Sequence, residues 1–298
     1  MLFGFNQLSH IDPEAFSPLT NLTYLDLANN KALPSVSDIL LPASLTQLRA
    51  DNNNITSVPA LHFTLPPTTT HSSINNNISS NNKLRKLNLD YNPIVSISLL
   101  AFQHLTELTE LWLTHTQLTS VDFSLPSSLT TLALSYSPVS SISSGTFSQL
   151  THLRDLHLEY THLTSVSSIS SIPSPSPMTS LYLQHTPVTI TNNIPDEDKD
   201  AFRNLTQLSH LFMDGMTHLT RLPLTLTHLT HLQYLSMYSL PHLTCTCMES
   251  AVATWYLARR QAMRQAGREF SVVGDCGDVS VAEFLEKLAP QCPPPVPS

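Results

Sequence analysis

The stretch "LRKLNLDYNPIVSI", residues 84–97, decides how the chain is read. Leu84, Leu87, Leu89, Asn92, Ile94 and Ile97 fall in the order LxxLxLxxNxLxxI. The LxLxx part is a short strand with its leucines turned inward, since strand side chains alternate between faces. The rest of the turn brings the chain back to lay the next strand alongside. One such turn cannot bury its own apolar face, so the pattern has meaning only if it recurs.

It recurs from Leu22, Leu45, Leu108, Leu129, Leu153, Met178, Leu208 and Leu232, most starts lying 21 to 25 residues apart. Two intervals are longer and predict insertions. The first, at about 61–83, holds "TLPPTTTHSSINNNISSNNK", a polar low-complexity segment too poor in apolar residues to bury a core and expected to be disordered. The second, at about 191–201, holds "NNIPDEDKDAF", with Asp196, Glu197, Asp198 and Asp200. It lacks the ligand order and turn glycine of an EF-hand, which makes it a solvated acidic loop.

Two further positions repeat. Phe16, Phe102, Phe147 and Phe202 stand six residues before the next start, each followed at three residues by a leucine, and predict a phenylalanine spine on the convex side of the core. Asn30, Asn53 and Asn92 stand where a buried amide can bond backbone groups of the neighbouring turn. Thr116, Ser137, Thr161 and Thr186 fill that place later, where a hydroxyl can satisfy the same groups in part.

The four cysteines come after the repeats: Cys245 and Cys247 in "LTCTC", then Cys276 and Cys292. From the residues alone, three disulfide connectivities are open. Zinc competes, although structural zinc sites usually show two closely spaced cysteine pairs and only one pair here is close.

The period, the phenylalanines and the terminal cysteines together resemble the extracellular leucine-rich-repeat proteins, among them the ectodomains of Toll-like receptors, Slit proteins, the Nogo receptor and variable lymphocyte receptors. The likeness covers nearly the whole chain. It implies an α/β fold: a leucine-rich-repeat solenoid, or horseshoe, with a parallel concave β-sheet, closed by a small disulfide-bonded C-terminal cap containing a helix. In the family's cap a tryptophan lies eight residues after the second cysteine, as Trp255 does here, within the helix-like "SAVATWYLARRQAMRQAG". The resemblance pairs Cys245 with Cys276 and Cys247 with Cys292. The chain departs from the family in lacking a tryptophan before Cys245, in a one-residue insertion there, and in placing Glu249 where an apolar residue is customary. The expected domains are repeats over 1–239, about ten with the first incomplete, a cap over 240–292 and a proline-rich tail over 293–298. "MLFGFNQLSHI" already reads as the second half of a repeat, which predicts a fragment whose signal and N-terminal cap lie upstream.

Function follows from the surface. Between the inner leucines come Asn88, Trp112, Ala133, His157, Tyr182 and Phe212; just before the asparagine position come Tyr91, His115, Tyr136, Tyr160 and His185. Seven of the eight tyrosines, Tyr24, Tyr91, Tyr136, Tyr160, Tyr182, Tyr234 and Tyr238, are read as outward strand positions. Aromatic side chains supply contact area at low entropic cost. The expected ligand-binding residues are therefore Tyr91, Trp112, His115, Tyr136, His157, Tyr160, Tyr182, His185 and Phe212, for a protein or glycan ligand. Against this stands plain packing of aromatics across neighbouring strands.

No phosphate-cradling glycine spacing and no GxSxG elbow occurs, so neither catalytic residues nor a cofactor is expected. His157 and Glu159 share a strand face but lack a third ligand, and no metal is expected. The net charge of -8 disfavours nucleic acid, despite the basic stretch Arg259, Arg260, Arg264 and Arg268. No apolar run is long enough to span a bilayer. Disulfides and the sequons at Asn21, Asn54, Asn77 and Asn204 predict an extracellular recognition module of a receptor, adhesion or innate-immune protein. Two other readings compete: a structural or matrix protein that forms a homodimer, and an intracellular scaffold with free thiols.

Overall fold

The computed structural model describes residues 1–64, 82–190 and 200–292. The chain forms two compact units, Met1–Leu153 and Arg154–Ser298.

In the first unit, strands β1 (Tyr24–Asp26), β2 (Gln47–Arg49), β3 (Lys86–Asn88), β4 (Glu110–Trp112) and β5 (Thr131–Ala133) pair in parallel in chain order. Their register sets Leu25, Leu48, Leu87, Leu111 and Leu132 opposite one another, all fully buried. Met1 to Phe5 adds half a turn to the free edge: Phe3 N–H donates to Asp26 O and Phe5 N–H to Ala28 O. Opposite the sheet run two-residue strands, Leu40–Leu41 beside His62–Phe63, Ser57–Val58 beside Ser96–Ile97, and Ser120–Val121 beside Ser141–Ile142.

The first insertion is shorter than the sequence predicts. His62 and Phe63 pair with Leu40 and Leu41, and Phe63 is buried. At the other end Asn82 is buried and donates to His104 O. Both ends belong to the repeats because each closes backbone groups of a neighbouring turn; residues 65–81 lie outside the described residues, as do 191–199 and 293–298.

The phenylalanine position is also corrected. Phe16, Phe102, Phe147 and Phe202 are buried, but so is Phe123, which meets Phe102 edge to face at 5.7 Å. Phe123 stands six residues before Leu129, and Pro126 follows it where the other copies have leucine. Other repeats fill the place with Ile39, Ile172 and Leu226, so aliphatic groups interrupt the spine.

In the second unit, β6 (Asp155–His157), β7 (Ser180–Tyr182), β8 (His210–Phe212), β9 (Tyr234–Met237) and β10 (Ser271–Cys276) are parallel, and β11 (Val279–Ser280) turns back against β10. The cap thus adds its own strand to the last repeat. Gly274 permits that approach: its φ is +126° and a Cβ there would lie 2.2 Å from Met237 O.

Helix α1 (Ser250–Gln265) buries Val252, Ala253, Tyr256 and Met263. Trp255 Nε1 donates to Leu229 O and Arg259 Nε to Leu232 O, which ties the helix to open carbonyls of the last turn. Cys245 bonds to Cys276 and Cys247 to Cys292, the pairs the family resemblance implies, with Cα separations of 5.9 and 5.2 Å. The structure also accounts for the unusual Glu249. Its fully buried carboxylate accepts from Thr246 N–H and hydroxyl at the start of the cap and from Arg221 Nε at 2.7 Å. A capping box and a paired guanidinium satisfy the charge that burial would otherwise penalise.

Candidate recognition surface

Each strand leaves its flanking residues on the outer sheet face, and one of the expected columns forms there. His157 on β6 stacks on Tyr182 of β7 at 4.2 Å and 7°, and Tyr182 on Phe212 of β8 at 4.7 Å and 4°. Phe212 then meets Tyr234 at 5.4 Å in a tilted contact. These separations follow the spacing of paired strands, so cross-strand packing accounts for the stacking itself. Burial pushes the Tyr182 hydroxyl pKa above its ordinary value. In the first unit Trp112 lies on β4 in register with Asn88 and Ala133, both smaller.

The second column lies elsewhere than expected. Tyr91, His115, Tyr136, Tyr160 and His185 sit in the turn after each strand, where the backbone is left-handed with φ between 53° and 55°. Of the seven tyrosines assigned to strands, Tyr24, Tyr182 and Tyr234 lie in strands. The turn arises because the residue must leave the sheet direction while its N–H still reaches the next repeat: Tyr91 N–H donates to Thr114 O, His115 to Ser135 O, Tyr160 to Gln184 O and His185 to Asp214 O.

Left-handed backbone costs an L-residue about 1–2 kcal/mol, least for Gly and Asn. Asn29, Asn52 and Gly215 meet that demand at the same position. Tyrosine and histidine do not, and their rings provide compensation. His115 is sandwiched between Tyr91 at 4.1 Å and Tyr136 at 4.4 Å; Tyr160 stacks on His185 at 4.3 Å. Each stack contributes about 0.5–1.5 kcal/mol beyond its buried area. Each of Tyr91, Tyr136 and Tyr160 has one face against a histidine, and they remain 55%, 45% and 43% exposed.

Acidic groups flank the column. Asp90 accepts from Thr114 N–H at 2.7 Å, and its pKa is raised, chiefly by burial. His157 Nδ1 lies 3.7 Å from Glu159 Oε1, and among the described residues no group of three potential ligands forms. Of the sequons, Asn21 and Asn54 are exposed. Asn204 donates its amide to Ser170 O and Ile172 O, both at 3.0 Å, and Asn77 lies outside the described residues.

A sequence model of the family described as "Leucine rich repeat" matches residues 3–55 and 127–188, and one described as "Leucine Rich repeats (2 copies)" matches 82–126. No curated protein matches the chain. Among solved structures, the leucine-rich repeat domain of APL1B is 19% identical with a TM-score of 0.56, covering 81% of this chain and 62% of that one. The octameric complex of Latrophilin 3, Unc5D and FLRT2 contains a chain 22% identical, TM-score 0.51, covering 85% and 78%. These two are likenesses of fold. A TLR13–ssRNA13 complex is 26% identical over 81% of this chain, which spans 29% of the TLR13 chain, and its TM-score of 0.46 adds no argument.

Proposed function

Because the chain belongs to the leucine-rich-repeat family, we propose that it is an extracellular recognition module that binds a protein or glycan partner through its aromatic columns. The observation that carries the reading is the left-handed column. Five Tyr and His residues hold a backbone state that Asn or Gly would adopt more cheaply, and three of the tyrosines stay about half exposed. Packing explains why the rings stack, but not why large rings occupy this position. Strain kept at an exposed site is a mark of function.

Stacking also determines what the columns offer. Half-exposed tyrosines and histidines carry hydroxyl and imidazole groups, which suit hydrogen bonding to peptide or sugar oxygens. In the complex named above, FLRT2 contributes its leucine-rich repeats to an assembly with Latrophilin 3 and Unc5D, a precedent for a protein partner on this fold. Two disulfides with no free cysteine fit an oxidising compartment, and N-glycans at Asn21 and Asn54 would fit the same setting. The mechanism is binding without chemistry. The acidic balance favours a partner other than nucleic acid.

The test is joint replacement of Trp112, Tyr136, Tyr160 and Tyr182 by alanine, with binding measured against arrays of extracellular proteins and glycans. Partners captured by the native chain should be lost by the folded variant. Undiminished capture moves recognition off both columns.

A further inference from the structure

The basic stretch of the cap has no part in the aromatic columns. On α1, Arg260 and Arg264 stand one turn apart on the same side of the helix. Gly267, with φ +68°, then ends the helix: its N–H donates to Arg264 O at 3.1 Å, and Arg268 N–H donates to Met263 O at 2.9 Å. This double closure turns the chain back over the last turn and sets Arg268 beside the other two. The three arginines, with Glu269, Glu286 and the buried Tyr256 and Phe270, line an open cleft of about 410 Å³. Arg260 is paired with Glu286. Arg264, Arg268 and Glu269 are exposed and make no ion pair among the described residues. Arg259, which ties the helix to Leu232 O, has its pKa lowered first by burial and then by the charge of Arg268. Attraction to the helix C-terminus accounts for a cation at this end, but it leaves that repulsion unrelieved. A bound anion would relieve it.

We propose that this cleft binds a sulfated sugar of a glycan chain, with the sulfate group on Arg264 and Arg268 and a sugar hydroxyl donating to Glu269. The inference rests on the extracellular part of the reading above, the setting in which sulfated glycans occur, and its site shares no residue with the columns. Guanidinium forks match the oxygens of a tetrahedral anion in parallel bonds. The unpaired carboxylate then discriminates among anions. An acidic peptide or a nucleic-acid backbone brings like charge to Glu269, whereas a sugar brings hydroxyl donors that a carboxylate accepts. The chain's net charge of -8 does not prevent the contact. At physiological salt, exposed charges farther apart than about 8 Å are largely screened, so the arginines at the cleft govern what binds there.

The test is a calorimetric titration of the full chain with a heparin tetrasaccharide at physiological salt. Binding should saturate, and should fall at least roughly tenfold in an Arg264→Gln, Arg268→Gln double variant whose thermal midpoint is unchanged. The desulfated tetrasaccharide, a short polyglutamate peptide and a short oligonucleotide should each bind at least roughly tenfold more weakly than the sulfated probe. Glu269→Ala separates sugar from bare charge. Loss of the hydroxyl contact should weaken the tetrasaccharide about threefold, whereas a site that reads charge alone would bind it more tightly. Absence of saturable binding, undiminished binding by the arginine variant, tighter binding by Glu269→Ala, or equal binding of any of the other three probes overturns the proposal. A Trp112→Ala, Tyr136→Ala double variant alters no cleft residue and should bind the tetrasaccharide as the native chain does; loss there would move the sugar to the columns. Failure of this site and failure of the column reading therefore appear in different proteins.

Discussion

The repeats around Asn30 and Asn53 and those around Thr161 and Thr186 fill the same two positions with opposite chemistry. In the first group the left-handed residue is asparagine, Asn29 or Asn52, which tolerates that backbone, and the buried position holds a second amide. Asn53 donates to Leu27 O of the preceding repeat and Ala50 O of its own, and accepts from Asn30 N–H. In the second group the left-handed residue is Tyr160 or His185, and the buried hydroxyls of Thr161 and Thr186 donate to Leu158 O and Leu183 O of their own turns. One class bridges turns with buried amides and strains little. In the Thr161 and Thr186 repeats that bridge is given up, the backbone carries strain and rings are exposed; the Tyr91 repeat joins a ring to the bridging amide of Asn92, and Ser137 links the His115 and Tyr136 repeats through its hydroxyl. The amide repeats are built for cohesion, and the ring repeats hold the surface a partner can use.

The largest expected effect separates the two classes directly. Asn53→Ala strands one N–H and two carbonyls, and should cost about 3 kcal/mol, as buried groups left unpaired cost about 1–3 kcal/mol each after relaxation. Thr186→Ala removes one local bond and should cost about 1 kcal/mol. Equal shifts in urea midpoint would erase the distinction. His115→Ala comes next: it loses two stacks while keeping a strained backbone, for about 1–2 kcal/mol. His115→Gly should recover part of that loss by relieving the strain, which separates stacking from backbone cost. Tyr91→Asn exchanges one stack for the residue the amide class uses, and should stay within about 0.5 kcal/mol of the native chain.

Much of this contrast is legible in the residues. The leucine spacing places every sheet strand in the repeats, because a buried leucine at fixed intervals leaves little freedom in register. The buried Asn, Thr and Ser positions are legible for the same reason. The turn is not: Tyr91 and Tyr136 look like strand residues because tyrosine favours strands, and only Asn29, Asn52 and Gly215 in the same column hint at left-handed backbone. Phe123 is hidden by a proline where its equivalents have leucine. Glu249 reads as an anomaly until Arg221, 28 residues earlier, is seen beside it, a pairing no local pattern encodes.

Asp90 lies at the boundary between the two classes and offers the finest test of it. In the preceding repeat Asp51 is paired with Arg49 at 3.1 Å, so its charge is balanced. Asp90 occupies the equivalent place beside Tyr91, where burial, with a smaller contribution from Asp51, raises its carboxyl pKa, while the Thr114 N–H bond and His115 act the other way. A carboxyl whose folded pKa exceeds its unfolded value holds its proton more tightly in the native state. Its contribution is greatest below the unfolded pKa and is lost as pH rises through the folded one. Asp90→Asn keeps an oxygen to accept from Thr114 but carries no charge. The variant should therefore match the native chain in thermal midpoint near pH 3 and exceed it at pH 7. A midpoint lower than native at pH 7 would mean that the charged bond to Thr114 outweighs burial. In that case the Tyr91 repeat would hold an electrostatic bridge beside the amide bridge that Asn92 makes to Ala50 O and Ile55 N–H.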